Sequence, residues 1–199
     1  MSDVVNTEEI RRFFDGLAAT WESPQSEAGV RDRIVELIEL PEAAVIADIG
    51  CGKGVMFPHL LRTNPAQLLA VELSGEMLAQ AQKEHADPRI AYCPGDLLSL
   101  ELPPVDAAVI FNAYPHFLDK PALARRLARL VKPGGKAVIA HSRSKELING
   151  RHRSTLAFTL SVPLQEPARE AAEFAPYFEA DTLIDTDEMY FIRLIRTAD

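Results

Sequence analysis

Three glycines alternate behind an acid in Asp48-Ile49-Gly50-Cys51-Gly52-Lys53-Gly54, directly after the apolar run Val45-Ile46-Ala47. That order reads as a buried strand turning sharply into a helix. Residues without a Cβ at such a turn let the backbone come close to a ligand. Two nucleotide-binding patterns can be tested by spacing. A dinucleotide loop wants glycine at the sixth position, and counting from Gly50 that position is Val55. A P-loop wants Ser or Thr after Gly-Lys, and Gly52-Lys53 is followed by Gly54. Both patterns fail. A second acid, Glu72, closes the next apolar run, Gln67 to Val71. A carboxylate at a strand end can accept hydrogen bonds from both hydroxyls of a ribose. An acid about 20 residues past a glycine loop also suits a nicotinamide dinucleotide, so Glu72 alone leaves the choice of nucleoside open.

The glycine segment resembles the first motif, (D/E)-x-G-x-G-x-G, of the class I S-adenosylmethionine-dependent methyltransferases, and the small methyltransferase-11-like members in particular. Further segments follow in the family's order. Glu72-Leu73-Ser74-Gly75-Glu76-Met77-Leu78 is similar to D-x-S-x-x-M-L, and Leu127 to Ile139 is similar to L-x-x-L-V-K-P-G-G-x-x-V-I. Between them lie Gly95-Asp96-Leu97 and the strand Val105 to Phe111 with Asn112 at its end. The resemblance spans roughly residues 45–141. It implies S-adenosyl-L-methionine as cofactor, held by Asp48, Gly50, Cys51, Gly52, Gly54, Glu72, Leu73, Met77, Asp96, Leu97 and Asn112. By position Asp96 and Leu97 inherit the hold on the adenine.

Methyl transfer from a sulfonium is an in-line displacement, so positioning in a dry pocket matters more than charged stabilisers. Where the acceptor carries a proton a base is needed, and His is suited at neutral pH. His116 and His141 are the catalytic candidates, because His141 ends a strand and His116 follows Asn112 closely. Trp21, Tyr114, His152 and Tyr190 are the expected substrate contacts. His116, His141 and His152 are 25 and 11 residues apart, which matches no compact ligand spacing, so no metal is expected. Asn112-Ala113-Tyr114-Pro115 departs in order from the N-P-P-(Y/F) segment of enzymes that methylate exocyclic amines of bases.

These residues need a scaffold. Alternating β and α segments imply an α/β, doubly wound sheet; the resemblance implies the Rossmann-like methyltransferase fold, seven-stranded and mostly parallel with its last strand antiparallel. The expected elements after the glycine loop are helices Val55 to Arg62, Ser74 to His85, Pro121 to Val131 and Glu166 to Tyr177, with a terminal hairpin of strands Phe178 to Asp185 and Glu188 to Arg196. Before the loop, Ile10, Phe13, Phe14, Leu17, Ala18 and Trp21 recur at helical spacing and form one apolar stripe. A second helix runs from about Ser26 to Leu40. Together they are expected to form an N-terminal helical lid. The chain reads as a single domain: helices over 1–41, a cofactor-binding core over 42–141, and a substrate-side segment with the hairpin over 142–199.

Composition narrows the partners. The 199 residues are 47% hydrophobic and 25% charged, ordinary for one globular domain. The formal net charge of −8 argues against a nucleic-acid substrate, which needs a basic surface; the basic cluster Arg125, Arg126, Arg129 and Lys132 reads as a solvated helix face. No run approaches the ~20 apolar residues needed to span a bilayer, and the cytoplasm is the expected location. Cys51 and Cys93 read as small wall residues. The expected function is methyl transfer to a small-molecule acceptor. The alternatives are a cofactor-binding module without transferase activity, acting with a partner protein, and a nicotinamide-dependent oxidoreductase, which Val55 argues against.

Overall fold

The structure, a computed structural model, describes residues 7–21, 27–153 and 159–198, with the side chains of 151–153 outside the description. Seven strands form one sheet: β1 (Val45–Ile49), β2 (Gln67–Glu72), β3 (Ile90–Pro94), β4 (Val105–Phe111), β5 (Val131–His141), β6 (Phe178–Thr186) and β7 (Met189–Arg196). Their order is β3-β2-β1-β4-β5-β7-β6. The first five pair in parallel. β7 is antiparallel to both neighbours and lies between β5 and β6. The sheet is therefore mostly parallel with an antiparallel last strand, as expected.

Central strands of such a sheet are covered on both faces, which accounts for their nearly continuous apolar runs. Side chains alternate between faces. Ala47, Ile49, Leu69, Val71, Ala108, Ile110 and Ile139 belong to one buried layer, and Ile46, Leu68, Ala70, Val109 and Ala140 to the other. The first layer packs on α5 (Lys120–Leu130) and α7 (Pro167–Ala172) through Leu123, Leu127 and Ala171. The second packs on α2 (Ala28–Ile38), α3 (Phe57–Leu61) and α4 (Gly75–Glu84) through Ile34, Ile38, Phe57, Leu60, Leu78 and Ala81. Arg193 of β7 ties that side together, donating to the Leu37 carbonyl at 2.7 Å and to both carboxylate oxygens of Asp181 at 2.9 Å. The chain is completed by α1 (Thr7–Leu17) and by α6 (Lys145–Arg153).

Local signals set the helix ends. Ser74 caps α4 by accepting from the Met77 N–H at 3.1 Å, and Asp119 caps α5 by accepting from Ala122 N–H at 2.8 Å, each satisfying an orphan donor of the first turn. Two helices are shorter than their sequence suggests. α3 covers Phe57–Leu61 and not Val55 to Arg62, because the residues before it form the tight turns of the glycine loop. The segment Glu166 to Tyr177 is helical only over Pro167–Ala172. After that, Glu173, Phe174 and Ala175 bond to carbonyls three residues back, and Pro176 lacks the N–H that further helix would need. Strand order reverses on the two sides of β1, at β1/β4. The crevice beyond the carboxyl ends of the strands at such a switch point is where open α/β sheets bind ligands. Among the described residues no helix is long and apolar enough to cross a membrane.

Candidate functional site

The glycine loop sits at that switch point. Gly50 and Cys51 donate their N–H groups to the Val71 carbonyl at 2.8 and 3.2 Å, which stitches the end of β1 to the end of β2. All three glycines have positive φ: +67° at Gly50, +55° at Gly52 and +82° at Gly54. Their surroundings differ. A Cβ on Gly50 would lie 2.7 Å from Ala113 Cβ, and one on Gly54 would lie 2.5 Å from the Phe57 ring. A Cβ on Gly52 would meet nothing within 4 Å. Two glycines are thus required by packing inside the fold. The third turns a bare backbone towards open space, as a cradle for a ligand would.

Glu72 faces the same space. It is 7% exposed and accepts two backbone N–H groups at 2.8 Å, Gly52 onto Oε2 and Ser74 onto Oε1. A carboxylate has about four acceptor positions, so acceptor capacity remains for a ribose hydroxyl. Burial raises its pKa, against the lowering effect of the backbone N–H groups. Asp48 lies under the loop, 1% exposed. Its Oδ2 is buried and has no hydrogen-bond partner. Burial, reinforced by the charge of Glu72, pushes its carboxyl up to about 8. Cys51 is a buried free thiol whose pKa is raised first by burial, and Cys93 is also free. Leu73 is half-buried and Met77 is buried at the start of α4.

The remaining expected cofactor residues follow along the same edge. Asp96 is half-buried beyond β3, where its Oδ1 accepts from Leu98 N–H at 2.9 Å. Leu97 is buried in the first core layer. Asn112, at φ +53°, uses its side-chain amide to clip β4 to β5: Ser142 N–H donates to its Oδ1 at 3.1 Å, and its Nδ2 donates to Ser142 Oγ at 3.2 Å. That two-point clip holds Asn112 in a backbone region uncommon for residues other than glycine.

α1 lies over the edge. Asp15 on α1 accepts from Ser74 Oγ at 2.6 Å and from Glu76 N–H at 3.4 Å, so its carboxylate sits at the start of α4, where negative charge is favoured. Beyond α1, the Trp21 carbonyl accepts from Lys53 Nζ at 3.1 Å. Phe14 is the hub of an aromatic group. Its ring meets Phe13 edge-on at 5.2 Å, Trp21 at 5.9 Å and His116 at 5.0 Å.

The two catalytic candidates stand in different surroundings. His116 is half-buried on the 3-10 turn Tyr114–His116, against Phe14, with Nδ1 2.9 Å from the Leu160 carbonyl. A carbonyl can only accept, so Nδ1 carries the proton and Nε2 carries the neutral ring's lone pair. His141 is 1% exposed, opposite Tyr190 across the β5–β7 pair, with ring centroids 5.9 Å apart.

Of the expected substrate contacts, Trp21 is 40% exposed beside the lid. Tyr114 and Tyr190 are both fully buried in the ligand-free chain. The Tyr114 hydroxyl donates to Glu170 Oε2 at 2.7 Å, and the Tyr190 hydroxyl to the Gln165 carbonyl at 3.1 Å. Lys120 lies in the same buried group, donating to the Tyr114 carbonyl at 2.6 Å, and burial pushes its pKa down to about 7 against the pull of Glu170. A buried phenol needs a partner for its polar end, and here the partners are inside the wall. The side chain of His152, on α6, lies outside the described residues. Among the described residues no group of three or more His, Cys, Asp or Glu side chains could hold a metal ion.

Asp15 and Phe14 as site residues are not evident from sequence. Phe14 is one apolar position of a helical stripe, and Asp15 is one acid on its flank.

Comparison with known proteins agrees with this geometry. Residues 46–135 match the family described as "Methyltransferase domain". Mouse acetylserotonin O-methyltransferase is 28% identical over 171 residues, covering 81% of this chain and 42% of that protein. A Synechococcus ribosomal RNA small subunit methyltransferase A is 33% identical over 108 residues, covering 52% of this chain and 39% of that protein. The chain thus spans less than half the length of these two relatives. The crystal structure of the N-methyltransferase NodS from Bradyrhizobium japonicum with S-adenosyl-L-homocysteine superposes with a TM-score of 0.72 at 12% identity, covering 98% of this chain and 100% of that one.

Proposed function

We propose that this chain, whose residues 46–135 match the methyltransferase domain family, is a class I S-adenosylmethionine-dependent methyltransferase that binds S-adenosyl-L-methionine and transfers methyl to a small, partly apolar acceptor. The observation that carries this reading is the contrast within the glycine loop. Gly50 and Gly54 are filled from inside the fold, whereas Gly52, which donates its N–H to the Glu72 carboxylate at 2.8 Å, has an open face.

The bound cofactor would supply an electrophilic methyl group. The chain's own residues supply the rest. Glu72 and the Gly52 backbone hold the nucleoside, with Asp96 and Leu97 at the adenine end. α1 excludes water, which favours a displacement that depends on positioning. Phe14 and Trp21 offer aromatic faces to an acceptor, and such walls with few polar groups suit small apolar ligands. His116 is the better-placed base: it is half-buried against Phe14, and the Leu160 carbonyl orients its ring through Nδ1 at 2.9 Å. Buried His141 is better read as part of the wall.

A small acceptor is favoured over RNA by the net charge of −8, since nucleic-acid affinity rests largely on cations facing phosphates. The test is turnover to S-adenosylhomocysteine with a panel of phenols, amines and carboxylic acids. His116→Gln should lower turnover of a protonated acceptor by roughly 10²–10⁴-fold with cofactor affinity nearly unchanged. Turnover with structured RNA and with none of the small acceptors would refute the substrate assignment.

A further inference from the structure

The carboxyl groups of Asp48 and Glu72 have unequal surroundings, and the inequality has a chemical consequence. β1 and β2 pair in parallel with Asp48 opposite Ala70. Glu72 is two residues further along, so alternation puts both carboxyls on one face of neighbouring strands, one diagonal step apart. Both are less than a tenth exposed. Glu72 is solvated by the chain: its two oxygens accept the N–H groups of Gly52 and Ser74. Asp48 has no such support at Oδ2, which is buried without a hydrogen bond.

The neighbouring groups do not compensate. Cys51 on the loop and Cys93 on β3 are neutral thiols with raised pKa. Asp15, from α1, adds a further negative charge beside Glu72. Lys53 turns away to the Trp21 carbonyl and to Glu84. His85 lies beyond Gly54, edge-on to the Phe57 ring. Among the described residues no Lys, Arg or His side chain forms an ion pair with Asp48 or Glu72. Two carboxyls in a shared low-dielectric site without a cation do not both ionise readily, and they titrate as a pair.

Resting on the reading that a cationic nucleoside occupies this edge, we propose that the Asp48 and Glu72 pair carries one proton in the ligand-free chain, held on Asp48, and releases it when S-adenosyl-L-methionine binds. The cationic ligand makes the doubly ionised pair favourable, and the proton leaves to solvent. The carboxyl of Asp48, up at about 8 in the ligand-free chain, is consistent with that proton being in place at neutral pH. The pair would then favour a positively charged cofactor by coupling its arrival to the loss of a positive charge.

The test is calorimetric titration of the full chain with S-adenosylmethionine at pH 6.5 in buffers of differing ionisation enthalpy. At that pH an α-amino group, with a pKa of about 7.7–8.0, is essentially all protonated, so protons released come from the protein. Release of about one proton is expected, with affinity rising roughly tenfold per pH unit from 6 to 7.5. Asp48→Asn should bring the proton count close to zero and flatten the pH dependence. Where that variant does not fold, Glu72→Gln and the proton count of the unaltered chain carry the test. Binding with no proton released, or an unchanged count in a folded Asp48→Asn chain, overturns the proposal while leaving the cofactor reading intact. No binding of S-adenosylmethionine or S-adenosylhomocysteine at any pH overturns both.

Discussion

Alanine at each of the three loop glycines separates packing from ligand binding. All three have positive φ, so each alanine carries the left-handed penalty of roughly 1–2 kcal/mol. At Gly52 nothing is added, because the new methyl meets no atom within 4 Å. At Gly54 the methyl would stand 2.5 Å from the Phe57 ring and 3.0 Å from His85. Phe57 is fully buried, so the ring cannot swing away, and overpacking adds about 1–3 kcal/mol. At Gly50 the obstacle is Ala113 Cβ at 2.7 Å, a short side chain fixed to backbone. The expected order of destabilisation is therefore about 1–2 kcal/mol for Gly52→Ala and about 2–5 kcal/mol for Gly50→Ala and Gly54→Ala. Cofactor affinity should follow a different order. The Gly52 methyl projects into the space assigned to the ligand, beside the Glu72 carboxylate, so affinity should fall by about 100-fold or more, equivalent to roughly 2.7 kcal/mol. Urea denaturation gives the first ranking and calorimetric titration with S-adenosylhomocysteine gives the second. A folded Gly52→Ala chain that binds within threefold of the unaltered one would show that this face is not the cradle. A Gly52→Ala chain less stable than the Gly54→Ala chain would overturn the packing argument.

Three further outcomes are expected. The folded-state pKa of Asp48 is raised, from 3.8 to about 8, so its ionisation opposes folding: the penalty is absent below pH 4, grows through neutrality and is complete above 8. Over the three units from pH 5 to 8, at 1.36 kcal/mol each, the unaltered chain should lose up to about 3–4 kcal/mol relative to Asp48→Asn. Denaturant midpoints with parallel pH dependence would contradict this. Tyr114→Phe leaves Glu170 without its 2.7 Å donor and should destabilise by about 1–3 kcal/mol without changing cofactor affinity, measured by thermal denaturation and titration together; weaker binding at unchanged stability would return Tyr114 to the site. Glu72→Ala removes the partner of the Gly52 and Ser74 N–H groups and should weaken cofactor binding roughly 10–100-fold, and an unchanged dissociation constant in the folded variant would take Glu72 out of the site.

Where sequence was informative, the reason is local. The strands β1, β2, β4 and β5 are buried on both faces, so their apolar runs stand out, and the glycines of the loop are fixed by backbone angles that few other residues tolerate. What escaped depends on contacts between distant segments. Asp15 reaches Ser74 across 59 residues, and Tyr114 reaches Glu170 across 56. Nothing near Tyr114 in sequence distinguishes a phenol inside the wall from one on its surface. The helix expected over Glu166 to Tyr177 has the composition for one, but tight turns and Pro176 take its second half. His141, at a strand end, and His116, just beyond one, are equal candidates in sequence, and burial and the Leu160 carbonyl separate them.

The interior position of β7 bears on the order in which the molecule can be assembled. β6 precedes β7 in the chain yet has no other strand to pair with, and β5 keeps one edge open until residues 189–196 arrive. During synthesis the glycine loop and the five parallel strands can form early. The open flank of β5, a row of unpaired backbone groups over an apolar layer, is then a hazard for association with other nascent chains. Insertion of β7 closes that flank, pairs β6 and brings Tyr190 opposite His141 in one event. A chain halted before Met189 would therefore keep the elements of the nucleoside cradle while lacking the wall behind β5. Such fragments should be found with chaperones or in aggregates.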